Sequence, residues 1–404
     1  MKLCYPKIVT KKSPKEIDFL FVLPGFTFSP PGGYSVVFEL AKFLKEKNYR
    51  VSIIFIRNIW QNLRKFITDP SLDRKSKYFS LRFRFFNKYL QYKPILNLIA
   101  KGSKLMSPLF DRAGLYINSG SIANLIDIDW EIRNCVPSSY RTKRAIATAW
   151  ETAYFVDHFE GVKQKYYLVQ NSEDDPSFSG SLSHLAKKTY DLDLKKIVIN
   201  KTTLARFKGD DPIKITVAAH INGKCEITPE LRGEKICIQL RSGDDKGAIY
   251  GIEAVRIIHD TDPVVKIQSY GSYGGSIPLF INHTKFLPEE EYIRMFNECS
   301  VFILPSLVEG FSSPVLEAMS CGCVPVATAC GGPEEIINSG ENGILVPTKS
   351  PSAIAEAVLK LIQDENTRTL LSKNALRRSK DFSFEKMGES FLVGITSYEE
   401  TLDR

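Results

Sequence analysis

The 404-residue chain lacks the long apolar runs of a membrane-spanning protein. Its longest are strand-sized, such as residues 17–23 and 301–304, far short of the roughly 18–20 residues that a spanning helix needs. Residues 1–14 are polar and lysine-rich, and the apolar stretch behind them ends at Pro24-Gly25, so it reads as a first strand and not a signal peptide. The eight cysteines form no CxxC pair, and the five histidines show no ligand spacing. That argues against a zinc site and makes free thiols in the cytoplasm the expectation. No low-complexity segment or close repeat appears, and no GxGxxG follows the first strand, which disfavours a nicotinamide dehydrogenase.

The chain has a globular composition, 43% hydrophobic and 25% charged, and a length that suits two domains. Its net charge of +8 is concentrated. Residues 57–112 hold 13 Lys/Arg against 3 Asp/Glu, which leaves the remainder slightly acidic. In that segment cations alternate with Tyr, Phe and Leu. This suits either an inserted helical pair or contact with an anionic membrane surface. Nothing there matches a nucleic-acid-binding motif, so no nucleic-acid partner is expected.

Strand and helix signals alternate along the chain. IDFLFVLP ends in a Pro-Gly turn, and Val36, Val37, Leu40, Phe43 and Leu44 then recur at helical spacing before the strand VSIIFI. This is a βαβ unit, which implies a parallel sheet. GLYINS, RAIATAW, YYLVQ, KKIVIN and IKITVAA continue the series to about residue 230. A second series starts with KICIQL and runs through VVKIQSY, VFILPS, VPVATA and ILVP. Two α/β domains with a cleft between them result, with ligands expected outside the carboxyl ends of the strands.

Residues 301–342 carry the most chemistry. A buried strand is followed by a loop holding Glu309, Gly310, Phe311, Ser312 and Ser313, and Pro314 suits the first turn of a helix. Backbone N–H groups of residues 311–313 then lie at a helix start, where an anion such as a diphosphate is favoured. Glu317 falls about one turn into the helix and Glu309 before it. A carboxylate in either place suits a ribose diol or sugar hydroxyls. A second strand, VPVATAC, ends in Gly331-Gly332, and its amides are expected to help enclose the same anion. Arg241 and Lys246 flank a glycine-bearing turn after KICIQL and suit a departing diphosphate. The acidic pairs Asp127/Asp129 and Asp191/Asp193 read as solvated, and no metal site is expected.

The stretch EGFSSPVLEAMSCGCVPV (residues 309–326), with Gly331-Gly332 and the Arg241/Lys246-Gly247 turn, resembles glycosyltransferase family 4. That is a retaining family with the GT-B fold, in which two Rossmann-like domains face each other across a cleft. The resemblance implies an N-terminal acceptor-binding domain (1–230, with the basic insertion at about 57–112) and a C-terminal nucleotide-sugar-binding domain (231–380). Residues 381–404 would form helices returning to the N-terminal domain. It further implies that Arg241 and Lys246 bind the donor diphosphate, that Glu317 holds the ribose and that Glu309 faces the sugar. Gly310, Phe311, Ser312 and Ser313 would touch phosphate or sugar, Leu287 would line the base pocket, and Gly32 and Gly33 would let a helix approach the donor or acceptor. A nucleotide-diphosphate sugar is the implied substrate, and no metal or other cofactor is required.

This chain departs from the family in two places. Ser312-Ser313 stands where Gly-Leu is usual, and Trp150-Glu151 follows RAIATA where a histidine often does. YYLVQNSEDDPSF followed by LAKKTYDLDLKKIVIN is similar to the bacterial rhamnosyltransferase branch that builds surface glycans, which implies dTDP-rhamnose as donor. Trp150, Glu151, Gln170, Asn171 and Glu173 are then candidates to line the acceptor or sugar cleft, with His158 just beyond. A glycan or lipid-linked acceptor at the inner face of the membrane follows from the same likeness. The competing readings are a sugar-nucleotide epimerase on the same fold and a catalytically silent protein that docks through its basic segment.

Overall fold

The computed structural model describes residues 16–25, 32–56, 59–64, 66–67, 128–207, 209, 211–218 and 233–403. The expected strand GLYINS, most of the basic segment, Asp127, His220 and the expected domain boundary near 230 lie outside the described residues.

Two parallel sheets form the framework. The first is built from β1 (Ile17–Leu23), β2 (Val51–Ile56), β3 (Asp129–Arg133), β4 (Thr142–Ala147), β5 (Val162–Val169), β6 (Lys195–Val198) and β7 (Ile213–Lys214), in the order β3-β2-β1-β4-β5-β6-β7. Its helices include α1 (Gly32–Glu46), α2 (Ile59–Leu63), α3 (Trp150–Asp157), α4 (Pro176–Ser179), α5 (Ser183–Lys188) and α6 (Lys201–Arg206). β1 and β2 are buried along nearly their whole length because helices cover both faces, which is why their sequences are continuous apolar runs. β7 keeps only two residues of the expected IKITVAA strand.

The second sheet contains β8 (Lys235–Gln239), β9 (Lys266–Tyr270), β10 (Ile281–Thr284), β11 (Val301–Leu304), β12 (Val324–Thr328) and β13 (Ile344–Val346), in the order β10-β9-β8-β11-β12-β13. Register sets Val301 beside both Ile236 and Val324, so the carboxyl ends of β8, β11 and β12 lie side by side. The helices here are α7 (Ala248–Thr261), α8 (Glu289–Glu298), α9 (Ser313–Ser320), α10 (Pro333–Ile336), α11 (Pro351–Gln363) and α12 (Glu365–Ser379).

The last helix, α13 (Phe384–Leu402), packs on the first sheet. Phe391 is fully buried against the rings of Phe19 and Phe21. Glu399 takes Arg144 in a two-pronged pair at 2.7 and 2.5 Å and accepts a third hydrogen bond, 2.8 Å, from the Tyr166 hydroxyl. Such a bidentate, half-buried pair fixes orientation better than a surface ion pair. Cys135, Cys237, Cys299, Cys323 and Cys330 are free thiols, while Cys321 is disulfide-bonded, which corrects the all-thiol expectation.

Candidate active site

The turn after β8 is laced to the turn after β11. Gly247 begins α7 in the left-handed region (φ +58°), and a Cβ there would lie 2.0 Å from the Pro305 carbonyl oxygen. Only glycine allows that approach. The amides of Leu307 and Val308 donate to the Asp245 carbonyl at 2.7 and 3.3 Å. Lys246 is thereby carried to Glu309. Its Nζ lies 3.0 Å from Glu309 Oε1 and 3.0 Å from Asp245 Oδ2, and Ser306 Oγ donates to the same Oε1 at 2.7 Å. Burial alone would lower the Lys246 pKa, but the Glu309 and Asp245 carboxylates outweigh it and hold it above the usual lysine value. Arg241 is exposed just after β8, with its Cγ against Gly271, and makes no hydrogen bond or ion pair with another described residue. The two cations expected to act alike therefore differ: Lys246 is paired within the protein and Arg241 is presented to solvent.

The loop after β11 runs Glu309–Ser312 into α9. Ser312 is the helix N-cap, in the left-handed region at φ +74°, and its carbonyl accepts from the Val315 amide at 3.0 Å. No described residue accepts a hydrogen bond from the amides of Phe311, Ser312 or Ser313. They are the unfilled donors of a helix start, with Pro314 at N1/N2. Glu317, 8% exposed, receives the Tyr292 hydroxyl at 2.6 Å. Leu287 is half-buried against the core beside the exposed ring of Phe286.

The turn after β12 does not share this openness, which corrects the sequence reading. The Gly331 amide donates to Glu334 Oε2 at 2.7 Å and the Gly332 amide to the Glu309 carbonyl at 2.9 Å. Both donors are used internally, so this turn braces the Glu309 loop and offers no second anion cradle.

The N-terminal half supplies the facing wall. α1 begins at Gly32, and a Cβ on Gly33 would meet the Gln170 side chain at 3.1 Å. Gln170 donates from Nε2 to the Thr148 carbonyl at 3.0 Å, and its Oε1 is buried without a partner among the described residues. Asn171 uses Oδ1 on the Ser172 amide at 2.9 Å. Glu151 is half-buried in the first turn of α3. Two expected cleft residues are core residues instead. Trp150 is 3% exposed and packs in the first domain's interior. Glu173, 3% exposed, accepts from the Trp150 amide and the Tyr167 hydroxyl, both at 2.5 Å. Burial pushes the Glu173 pKa up to about 8, against the lowering effect of those bonds. A carboxyl at a strand's carboxyl end suits a cleft-facing place, but this one closes the hydrogen-bonding needs of its own turn. His158 caps α3 and lies against the Phe66 ring.

The two halves touch at the loop itself. A Cβ on Gly310 would lie 2.0 Å from the Gln170 carbonyl oxygen, and the Asn200 amide group donates to the Gly310 carbonyl. Glu335 accepts from the Lys201 amide and pairs with Lys214 at 3.1 Å. Asn200, Asp245 and Tyr292 are site residues that sequence reasoning missed; the partners of Asn200 and Tyr292 are distant in sequence, whereas Asp245 pairs with the adjacent Lys246. Among the described residues, no group of three or more His, Cys, Asp or Glu is placed to hold a metal ion, and no helix is long and apolar enough to cross a membrane.

Comparison with known proteins agrees with this fold. Residues 280–378 match the family model described as Glycosyl transferases group 1. An uncharacterised glycosyltransferase of Methanocaldococcus jannaschii is 36% identical over 115 residues, 28% of this chain and 32% of the relative. The N,N'-diacetylbacillosaminyl-diphospho-undecaprenol alpha-1,3-N-acetylgalactosaminyltransferase of Campylobacter jejuni is 31% identical over 102 residues, 25% of this chain and 27% of the relative. The matches thus span about a third or less of either relative. Anabaena HepE, solved with UDP-glucose, superposes with a TM-score of 0.64 at 14% identity, covering 95% of this chain and 100% of that one. The fold is that of the GT-B glycosyltransferases, and residues 280–378 are similar to the group 1 glycosyltransferase family model.

Proposed function

We propose that the chain is a retaining glycosyltransferase that moves a sugar from a nucleotide-diphosphate sugar to a glycan or lipid-linked acceptor. The observation that carries this reading is the set of unfilled amides at residues 311–313, in the loop whose Glu309 pairs with Lys246, with Arg241 exposed on the same turn as Lys246. A diphosphate is the ligand whose charge and size match a helix start flanked by two cations. Glu317 then takes the ribose, Glu309 faces the transferred sugar, and Leu287 lies against the base. Gly32 and Gly33 leave room for donor or acceptor, with Glu151, Gln170 and Asn171 on the far wall.

In the reaction the acceptor hydroxyl oxygen bonds to the anomeric carbon on the face the diphosphate leaves. The bond from that carbon to the diphosphate oxygen breaks, and the acceptor proton passes to a phosphate oxygen. Arg241, Lys246 and the loop amides stabilise the charge that builds on the leaving group, and no metal or cofactor enters the proposal. The Lys246 pair with Glu309 gives the ammonium a defined place before the donor arrives.

The acceptor class follows the relatives. The Campylobacter relative is named for an undecaprenol-diphosphate acceptor, and a mannosyltransferase of Escherichia coli, 30% identical over 106 residues, is named for the O-antigen chain. A lipid-linked acceptor would give the basic, aromatic segment 57–112 a use as a peripheral contact at the inner membrane face. The finer assignment, rhamnosyl transfer from dTDP-rhamnose in surface-polysaccharide synthesis, rests on the sequence likeness at residues 166–200.

The test is thermal stabilisation by UDP, GDP, ADP and dTDP. A ligand at about 100 times its dissociation constant adds roughly 2.7 kcal/mol. One nucleotide should raise the midpoint clearly above the rest, dTDP if the rhamnosyl assignment holds. No shift with any of them would sink the donor site and favour the silent docking protein.

A further inference from the structure

The loop that carries the unfilled amides is held from across the seam between the domains. Asn200, at the N-cap of α6 in the first domain, is 1% exposed. Its Oδ1 accepts from the Thr203 amide at 2.6 Å, which caps the helix. Its Nδ2 donates to the Gly310 carbonyl in the second domain. A backbone N–H on one side and a carbonyl on the other leave the side-chain amide one orientation. Gly310 also lies against the Gln170 carbonyl, and a Cβ on Gly332 would meet the Phe311 carbonyl carbon at 2.5 Å. The Phe311 ring packs on that of Phe382, 5.7 Å away.

The Gly310 carbonyl and the Phe311 amide belong to one peptide unit, which is planar and trans. Its C=O and N–H therefore point in opposite directions. Drawing the carbonyl to Asn200 turns the Phe311 N–H the other way, and that N–H has no acceptor among the described residues. Gly310 has no Cβ to resist rotation of this peptide, so the restraint comes from the partner of its carbonyl. A rotated peptide would present oxygen where the N–H now points, and a carbonyl oxygen repels an anion. A hydrogen bond accepted by the carbonyl also polarises the N–H of the same unit.

We infer that Asn200 is a positioning residue that orients the Phe311 N–H toward the donor diphosphate, so that the anion site of the second domain is completed by a side chain of the first. The inference rests on the reading of the amides at 311–313 as the diphosphate site. Asn200 acts through the Gly310 peptide and touches no substrate itself. Donor affinity is thereby tied to the contact between the domains, and the capping of α6 and the aim of the loop depend on one amide group.

The experiment measures dissociation constants of UDP, GDP, ADP and dTDP with the full chain, with Asn200→Ser and with Asn200→Asp, together with unfolding midpoints. Serine keeps a capping oxygen for the Thr203 amide but is too short to reach Gly310. Asn200→Ser should bind the accepted nucleoside diphosphate about 10-fold more weakly. Asn200→Asp has the shape of the native side chain and a proton that titrates. When protonated it caps with one oxygen and donates to Gly310 from the other, and burial holds that proton above the usual carboxylate range. It should bind within about 2-fold of the unaltered chain at about pH 5 and fall toward the Asn200→Ser value as the pH is raised to about 9. Asn200→Ser and the unaltered chain at the same pH values correct for every other titrating group, including Glu309, Glu335, Lys214 and the nucleotide. Should Asn200→Ser fail to fold, the pH dependence of Asn200→Asp decides alone. Unchanged binding by Asn200→Ser would overturn the inference and leave the donor site standing. So would equal weakness of both variants at both pH values, which would make Asn200 a packing residue of the seam. If none of the four nucleotides binds the unaltered chain, the donor reading and the inference fall together.

Discussion

The two sheets are built to one plan, each unit's first strand lying between its second and fourth, yet their carboxyl ends are chemically opposite. In the first domain most turn groups are satisfied internally, with Gln170 Oε1 the exception among the described residues. Glu173 takes the Trp150 amide and the Tyr167 hydroxyl, and Thr152 Oγ1 takes the amides of Thr148 and Ala149 at 3.0 and 3.1 Å. In the second domain a lysine stands between two carboxylates, an arginine reaches solvent, and the amides of residues 311–313 have no acceptor among the described residues. The same topology thus makes a closed wall on one side and a charged, donor-rich platform on the other. Fold supplies the cleft, and individual residues decide which face does chemistry.

Removing the cation at the centre of the platform should break this contrast most severely. Lys246→Ala takes away the shared partner of Asp245 and Glu309, each about one-seventh exposed. Sugar transfer should fall by about 100–1,000-fold. Folding should lose about 3 kcal/mol at neutral pH, because two carboxylates are left buried without their counter-charge. That deficit should shrink as the pH falls through the carboxylate range and the acids protonate. Steady-state transfer assays and unfolding midpoints at two pH values read both effects. Near-normal transfer would show that Lys246 holds structure and takes no part in leaving-group stabilisation.

The sequence reveals the platform better than the wall, for physical reasons. Apolar runs mark the central strands because both faces are covered. The edge strands β3 (DWEIR) and β10 (INHT) bury less and carry polar residues, so no run announces them. The 309–326 stretch is legible because loop, helix start and Glu317 are contiguous. Tyr292 and Asn200 are not, since each acquires its role from a partner 25 or 110 residues away. For Trp150 and Glu173 the sequence shows the place along the chain but not the depth. Position at the end of a strand does not say whether a side chain turns to the cleft or into its own turn.

The wall has its own test, of intermediate size. The Glu173 pKa is raised from 4.5 to about 8. Between those values the unfolded chain has released the proton that the folded chain keeps. This contribution is therefore complete below about pH 4.5 and is lost as the pH rises to about 8. The slope for one proton is at most about 1.4 kcal/mol per pH unit. Glu173→Gln carries no such proton, so its unfolding midpoint relative to the unaltered chain should improve steadily from pH 5 to pH 8. A constant difference across that range would show that Glu173 is ionised and that the wall is not the neutral structure described above.

The smallest effect separates the two turns of the platform itself. The β12 turn uses Gly331 at φ +106°, where glycine is at ease, and spends its amides internally. The β11 turn places Ser312 at φ +74°, 4% exposed, with a buried hydroxyl that has no hydrogen-bond partner among the described residues. A left-handed non-glycine residue costs about 1 kcal/mol or more, and an unmade buried hydrogen bond about 1–3 kcal/mol. Ser312→Gly removes both, while the extra freedom of glycine in the unfolded chain returns up to about 1 kcal/mol. The variant should therefore be more stable by about 1 kcal/mol, read as a higher unfolding midpoint. If the Ser312 hydroxyl completes its hydrogen bond on a bound diphosphate or sugar, the same variant should bind the accepted nucleotide sugar a few-fold more weakly. Gain in stability with loss of binding is the signature of strain kept for a ligand. Gain without loss would leave the serine as a local defect, and loss of stability would mean that its hydroxyl serves the fold.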